Sequence, residues 1–158
     1  VCTVHDVLDG SVVPGNRVLL LDDINGWWPA SGTAQHLALQ RHEVTVVTAA
    51  ELACAALDAS QAGETMRERF MKTGVEVMTA TALLSWNGNT AEMINLYTGD
   101  KETREFDSLV LATTNTPNDQ LTAELAEDAI EVHAIGDTVS SRTASMALYE
   151  ARKLAVTL

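Results

Sequence analysis

Aromatic residues are scarce in this 158-residue sequence, at 4% of the chain. The core must therefore come from Val, Leu, Ala, Ile and Met, which suits a sheet covered by alanine-rich helices better than a β-sandwich. Cysteine is scarcer, with Cys2 and Cys54 alone. Two cysteines cannot supply a four-cysteine iron–sulfur cluster, and neither lies in a CxxC or Cys/His group, so a reducing, cytoplasmic setting is expected. Cys54, inside Leu52-Ala53-Cys54-Ala55-Ala56, reads as a small buried hydrophobe. Basic residues are few, 10 against 22 acidic ones, for a net charge of −12. That excess excludes nucleic acid and anionic membranes as partners, since both require a basic surface. No apolar run approaches the ~20 residues that span a bilayer, and no basic-then-apolar start suggests a signal peptide. An initiator Met is lacking too, and the opening reads as mid-protein sequence, so a fragment of a larger chain is expected.

What remains is the pattern of an α/β domain, a single one over residues 1–158. Residues Val1 to Leu8 form either a short helix or an extended lead-in. Arg17 to Leu21 is an apolar run between turns, as in a strand buried on both faces of a parallel sheet. A helix is predicted from Gly32 to Gln40, capped by Ser31 or Thr33, and a second buried strand from Glu43 to Thr48. Together these make one βαβ crossover. Helices are predicted at Ala50 to Ala59 and at Glu64 to Lys72, the latter turning Met66, Phe70 and Met71 to the core and ending at Gly74. A strand follows at Val75 to Thr79. Ala82 to Trp86, Met93 to Thr98 and Glu102 to Phe106 are short segments joined by hairpin-type turns, with type I′ chemistry at Asn87-Gly88. Asp107 to Ala112 returns to the buried parallel type. Gln120 to Ala126 reads as a helix, Ile130 to Ile135 as a last strand, and Ser141 to Ala155 as an alanine-rich helix. The expected fold is thus a Rossmann-like three-layer domain: a parallel sheet flanked by helices, with an antiparallel three-stranded meander.

Three stretches in this order carry a likeness. Arg17-Val18-Leu19-Leu20-Leu21 with Arg41-His42-Glu43-Val44-Thr45-Val46-Val47 is the first. Asp107-Ser108-Leu109-Val110-Leu111-Ala112-Thr113-Thr114, then Pro117-Asn118, is the second. His133-Ala134-Ile135-Gly136-Asp137, then Arg142 and Ala147, is the third. The chain resembles the nucleotide-binding domains of FAD/NAD(P)-dependent pyridine nucleotide-disulfide oxidoreductases. Within them it looks most like multidomain flavoproteins with an old-yellow-enzyme-type barrel, such as 2,4-dienoyl-CoA reductases and trimethylamine or histamine dehydrogenases. The resemblance implies a parent in which a separate barrel domain holds FMN, an iron–sulfur cluster lies elsewhere, and this domain contacts the barrel. It implies too that Asp137, at a strand end, accepts hydrogen bonds from a cofactor hydroxyl, with Gly136 admitting the backbone and Arg142 nearby. Read from the residues alone, Asp137 is equally an aspartate capping the following helix.

A dinucleotide site needs glycines after the first strand, for a tight turn, close approach to the pyrophosphate and close helix–strand packing. Counted from Arg17, those positions hold Asp22, Ile24 and Trp27. Asp22 and Asp23 set negative charge where phosphates would lie, and Ile24 blocks backbone approach. Gly26 survives as a cofactor-binding candidate beside Gly32, but at no phosphate-loop spacing. Binding of ADP or NAD(P) is therefore expected to be weak or lost. Glu51 falls late for a ribose ligand and reads as a first-turn helix residue. Trp27 and Trp28 suit a sheet edge or domain interface better than stacking on a base. His5, His36, His42 and His133 lack metal-ligand spacing, Ser31 lacks a nucleophile elbow, and the carboxylates are scattered. The alternative is a structural or electron-carrier docking module whose acidic surface meets an electron-transfer protein.

Overall fold

A computed structural model describes residues 1–125 and 131–158. The chain divides into two compact units, Val1–Thr113 and Thr114–Leu158.

In the first unit the elements run β1 (Cys2–Thr3), α1 (Val4–Leu8), β2 (Arg17–Asp22), α2 (Trp28–Leu39) and β3 (Glu43–Thr48). A 3₁₀ turn (Ala55–Ser60) precedes α3 (Gly63–Thr73), then β4 (Glu76–Met78), β5 (Thr81–Trp86), β6 (Thr90–Asn95), β7 (Lys101–Glu105) and β8 (Ser108–Ala112). The sheet has the order β1-β8-β2-β3-β4 with every neighbouring pair parallel, while β5-β6-β7 form a separate antiparallel meander. Strand alternation explains the layers. Val18, Leu20, Val46 and Val110 face Ala30, Ala34, Leu37 and Phe70 of the helices. Leu19, Val47 and Leu109 face Ala91, Met93 and Phe106 on the meander side. With both faces covered, the central strands read as continuous apolar runs. The fold is the Rossmann-like three-layer architecture that the sequence predicts.

The differences are local. Residues Val1 to Leu8 are both lead-in and helix: Cys2 and Thr3 pair with Val110 and Leu111, and Thr3 then caps α1 through a capping box with Asp6. Helix α2 begins four residues earlier than predicted because Pro29, whose fixed φ suits a first turn, starts it. Neither Ser31 nor Thr33 caps it. The Ser31 hydroxyl donates to the Gly26 carbonyl at 2.5 Å, and Thr33 Oγ1 is fully buried without a partner. The predicted helix Ala50 to Ala59 is replaced by turns and the 3₁₀ segment. Cys54 and Gln61 take left-handed backbone (φ 58° and 60°), and the Ala50 carbonyl and the Ala56 N–H bond to Ala80 and Asn25 instead of to a helix of their own. On α3, Met66 and Phe70 are buried but Met71 is 77% exposed, since one residue past Phe70 turns about 100° away from the core. At the Asn87-Gly88 hairpin only Gly88 has a positive φ, so the turn is not type I′, which needs two.

Two expectations follow from this packing. Thr33→Val keeps the shape and deletes an unsatisfied buried hydroxyl, so it should stabilise the chain by about 1 kcal/mol in urea unfolding. Arg104 of β7 donates to both Glu76 carboxylate oxygens at 2.8 and 3.0 Å, and the Thr45 hydroxyl adds a bond at 3.1 Å, joining meander to parallel sheet. The Arg104 bonds, opposed by partial burial, hold the Glu76 carboxyl below its ordinary value of 4.5. A carboxyl depressed on folding contributes stability above its unfolded pKa and loses it as pH falls through the folded one. Glu76→Gln should therefore lower the melting temperature at neutral pH, and its difference from the parent should shrink as pH falls below the ordinary value of 4.5 and through the lower folded one.

The second unit holds α4 (Gln120–Leu125), a 3₁₀ turn (Gly136–Thr138) and α5 (Ala144–Ala155). Ala126 and Ile130, ends of the predicted helix and strand, lie outside the described residues. Residues 131–135 form no strand. Among the described residues no strand pairs with them, and the Ile135 carbonyl accepts the Thr138 hydroxyl at 2.8 Å. Helix α5 starts three residues later than predicted, with Thr143 as its N-cap.

Candidate functional site

The place where a Rossmann-like domain meets a diphosphate is the turn between β2 and α2, beyond the carboxyl ends of the strands. Here that turn is folded onto the chain itself. Gly26 has φ 69°, and a Cβ added to it would stand 2.4 Å from Cys54 Cα and 2.6 Å from Cys54 N. The close approach that a glycine permits is thus made by the backbone that follows β3. The contact is fastened from several sides. Ala56 N–H donates to Asn25 O at 2.8 Å, and the Ser31 hydroxyl also reaches Cys54 Sγ at 3.4 Å. The Arg67 guanidinium donates to Ala53 O at 3.0 Å and to Asp58 at 2.9 and 3.3 Å.

The positions where the sequence reading looks for glycines hold Asp22, Ile24 and Trp27. Asp22 ends β2 in register with Thr48 and Ala112. Its side chain is only 3% exposed, and its Oδ1 accepts the Ile24 N–H at 3.1 Å. Ile24 packs against the helix-side core. Trp27 and Trp28 stand at the start of α2 and are roughly half exposed. Between the turn, the first turn of α2 and Cys54 lies a cavity of about 10 Å³, the size of a single water. Burial pushes the Cys54 thiol up from its ordinary value, with the Ser31 hydrogen bond and Arg67 opposing, so the sulfur is an inert thiol in the core. The space beside Gly26 is thus occupied by the Cys54 backbone, with the Asp22 carboxylate and Ile24 beside it.

Glu51, predicted in a helix, lies instead in the turn after β3, where it accepts the Tyr97 hydroxyl from the meander; that bond raises the Tyr97 pKa. The remaining site residues of the sequence lie in the second unit. Gly136 has φ 66°, and a Cβ on it would sit 3.2 Å from Ala147 Cβ. Its N–H donates to Glu150 at 2.8 Å, and Glu150 is also ion-paired with Arg142. These two partners, Gly136 first, hold the Glu150 carboxyl below its usual range. Asp137 is exposed, and its nearest donor is the Arg142 N–H at 3.5 Å. Gly136, Asp137 and Arg142 are therefore together, around Glu150, a residue the sequence reading did not single out. Arg142 precedes the N-cap of α5 and Glu150 lies within that helix, so no helical spacing in the sequence links the two. Among the described residues, no group of three His, Cys, Asp or Glu could hold a metal ion, and no helix is long and apolar enough to cross a membrane.

Residues 30–150 match the family of pyridine nucleotide-disulphide oxidoreductases. The chain belongs to that family. The matched stretch begins at Ala30, beyond β2 and its turn. No curated protein sequence matches. Among solved structures, the chain is similar to 6-hydroxypseudooxynicotine amine oxidase from Pseudomonas geniculata N1, at 25% identity and TM-score 0.86, over 96% of this chain and 23% of that one. It is similar to a 2-naphthoyl-CoA reductase at 26% identity and TM-score 0.77, over 99% of this chain and 23% of that one. Histamine dehydrogenase from Rhizobium sp. 4-9 shares the fold, at 17% identity and TM-score 0.80, over 99% of this chain and 26% of that one. The chain thus spans about a quarter of the length of these structures. It is an FAD/NAD(P)-binding-type Rossmann-like domain of the oxidoreductase flavoproteins, related to amine-oxidising enzymes and reductases. The resemblance drawn from the sequence is met.

Proposed function

We propose that residues 1–158 act as one nucleotide-binding-type domain of a larger cytoplasmic, FMN-dependent amine dehydrogenase or enoyl reductase, and that its dinucleotide binding is weak or lost. The observation that carries this reading is the 2.4 Å approach of a Gly26 Cβ to Cys54 Cα. A diphosphate and the Cys54 backbone would have to share one volume. The buried Asp22 carboxylate acts in the same sense, by repelling an anion. The flavin chemistry and any iron–sulfur cluster then belong to other domains of the parent. Asp137, with Gly136 and Arg142, is the group left to meet a cofactor hydroxyl such as that of ADP.

In a thermal-shift series with ADP, NADH, NADPH and FAD, the chain should keep its melting temperature. A ligand held at 100 times its dissociation constant would add about 2.7 kcal/mol, so a clear rise with any of the four would contradict the reading. Steady NAD(P)H oxidation by the chain alone should also be absent.

The half-exposed Trp27 and Trp28, with Leu52 46% exposed on the adjoining loop, favour a second role for the same end of the sheet: an interface with the flavin-bearing barrel domain. Isolated surface tryptophans are costly to leave wet and are enriched at interfaces. Trp27→Ser with Trp28→Ser in the parent enzyme should loosen that domain contact, read as faster proteolytic separation. Unchanged proteolysis would count against it.

A further inference from the structure

We propose that Asn87 is a site of spontaneous deamidation, a modification that the meander hairpin favours and that the fold withholds from Asn25. The sequence holds two Asn-Gly pairs, Asn25-Gly26 and Asn87-Gly88. In such a pair no Cβ shields the glycine nitrogen, which can close a succinimide ring on the asparagine side chain. At the hairpin, the Gly88 N–H gives its proton to hydroxide and the nitrogen bonds to Asn87 Cγ. The side-chain nitrogen leaves as ammonia, with a proton from water. Water then adds to one of the two ring carbonyls and breaks its bond to nitrogen, which regains a proton. Opening at Cγ leaves aspartate, and opening at the main-chain carbon leaves isoaspartate.

The two pairs differ in what holds them. Asn87 and Gly88 stand exposed at the tip between β5 and β6. A Cβ built on Gly88 meets nothing within 4 Å. Neither the Asn87 carbonyl nor the Gly88 N–H has a main-chain partner among the described residues, so the peptide plane is free to turn its nitrogen toward Cγ. Thr90 N–H donates to Asn87 Oδ1 at 3.1 Å. Negative charge collects on that oxygen as the new bond forms, and the donor stabilises it. Asn25 is exposed as well, but its peptide plane is pinned. Its carbonyl accepts the Ala56 N–H at 2.8 Å, and Gly26 lies against the Cys54 backbone. Ring closure there must first break that hydrogen bond, which slows it about tenfold or more.

The test is peptide mapping by mass spectrometry after incubation in mildly alkaline buffer, with the chain folded and in urea. In the folded chain the Asn87 peptide should gain the mass of exchanging NH for O about tenfold faster, or more, than the Asn25 peptide. In urea, where nothing pins either pair, the two rates should come together. Ion exchange should show an added negative charge in step with the Asn87 reaction. Asn87→Gln, whose longer side chain closes a ring poorly, should remove the fast phase from both readouts. Asn25 reacting as fast as Asn87 in the folded chain would overturn the proposal. So would an Asn87 that reacts only in urea, a rate ratio that urea leaves unchanged, or a fast phase that survives Asn87→Gln. None of these outcomes depends on whether a nucleotide binds.

Discussion

Gly26→Ala should lower the stability of the chain by about 2–5 kcal/mol in urea unfolding. About 1–2 kcal/mol of that is the left-handed backbone, disfavoured for any residue with a Cβ. A further ~1–3 kcal/mol comes from forcing a methyl into packed atoms, here the Cys54 backbone at 2.4 Å. A main chain on each side makes relief difficult, because neither partner can rotate away as a side chain could. Gly10→Ala separates the two contributions. Gly10 has a similar φ of 79° but nothing within 4 Å of its added Cβ, so only the backbone part should appear there. Equal losses at the two positions would mean that the turn and the Cys54 segment are not held against each other.

Phe70→Ala is the second large effect, at about 3–5 kcal/mol. Phe70 is 4% exposed within the helix-side core and lines the cavity beside Cys54, so truncation opens a void that rigid neighbours cannot fill. Met71→Ala, next along the helix and 77% exposed, should stay within about 0.5 kcal/mol. Comparable losses at both would return Met71 to the core face that the sequence reading gave it.

Those two residues show where sequence was a good guide and where it was not. Strands β2, β3 and β8 announced themselves because a strand covered on both faces has no polar side to confuse the pattern, and Glu43–Thr48 emerged with its ends in place. The meander was legible from Gly88 and Gly99, which take the positive φ values of its turns. The helix at Ala50 to Ala59 misled because an alanine-rich run carries propensity without periodicity, and tertiary partners on Asn25 and Ala80 claimed its backbone groups. The strand expected from Ile130 to Ile135 misled, over its described residues 131–135, for the opposite reason: a short run has strand character only where a neighbour offers a ladder.

At the candidate site the presence of Asp22, Ile24 and Trp27 where a phosphate loop carries glycines was visible in the spacing alone. What replaced them was not. Gly26 is adjacent to Cys54 only through the fold, and no local pattern reports a contact between residues so far apart in sequence. The burial of Asp22 was equally hidden, because a charged residue at a strand end ordinarily marks exposure. The cluster of Gly136, Asp137 and Arg142 was legible through the family likeness, while Glu150 entered through side-chain geometry.

The direct measurement is an ADP titration of isotopically labelled chain, followed by the amide resonances of Asp22 to Ser31. Those resonances should stay in place at every ADP concentration, since the Cys54 backbone already covers the turn. A saturable shift centred on Gly26, Ala30 and Ser31 would show a diphosphate reaching the place assigned to the protein's own chain.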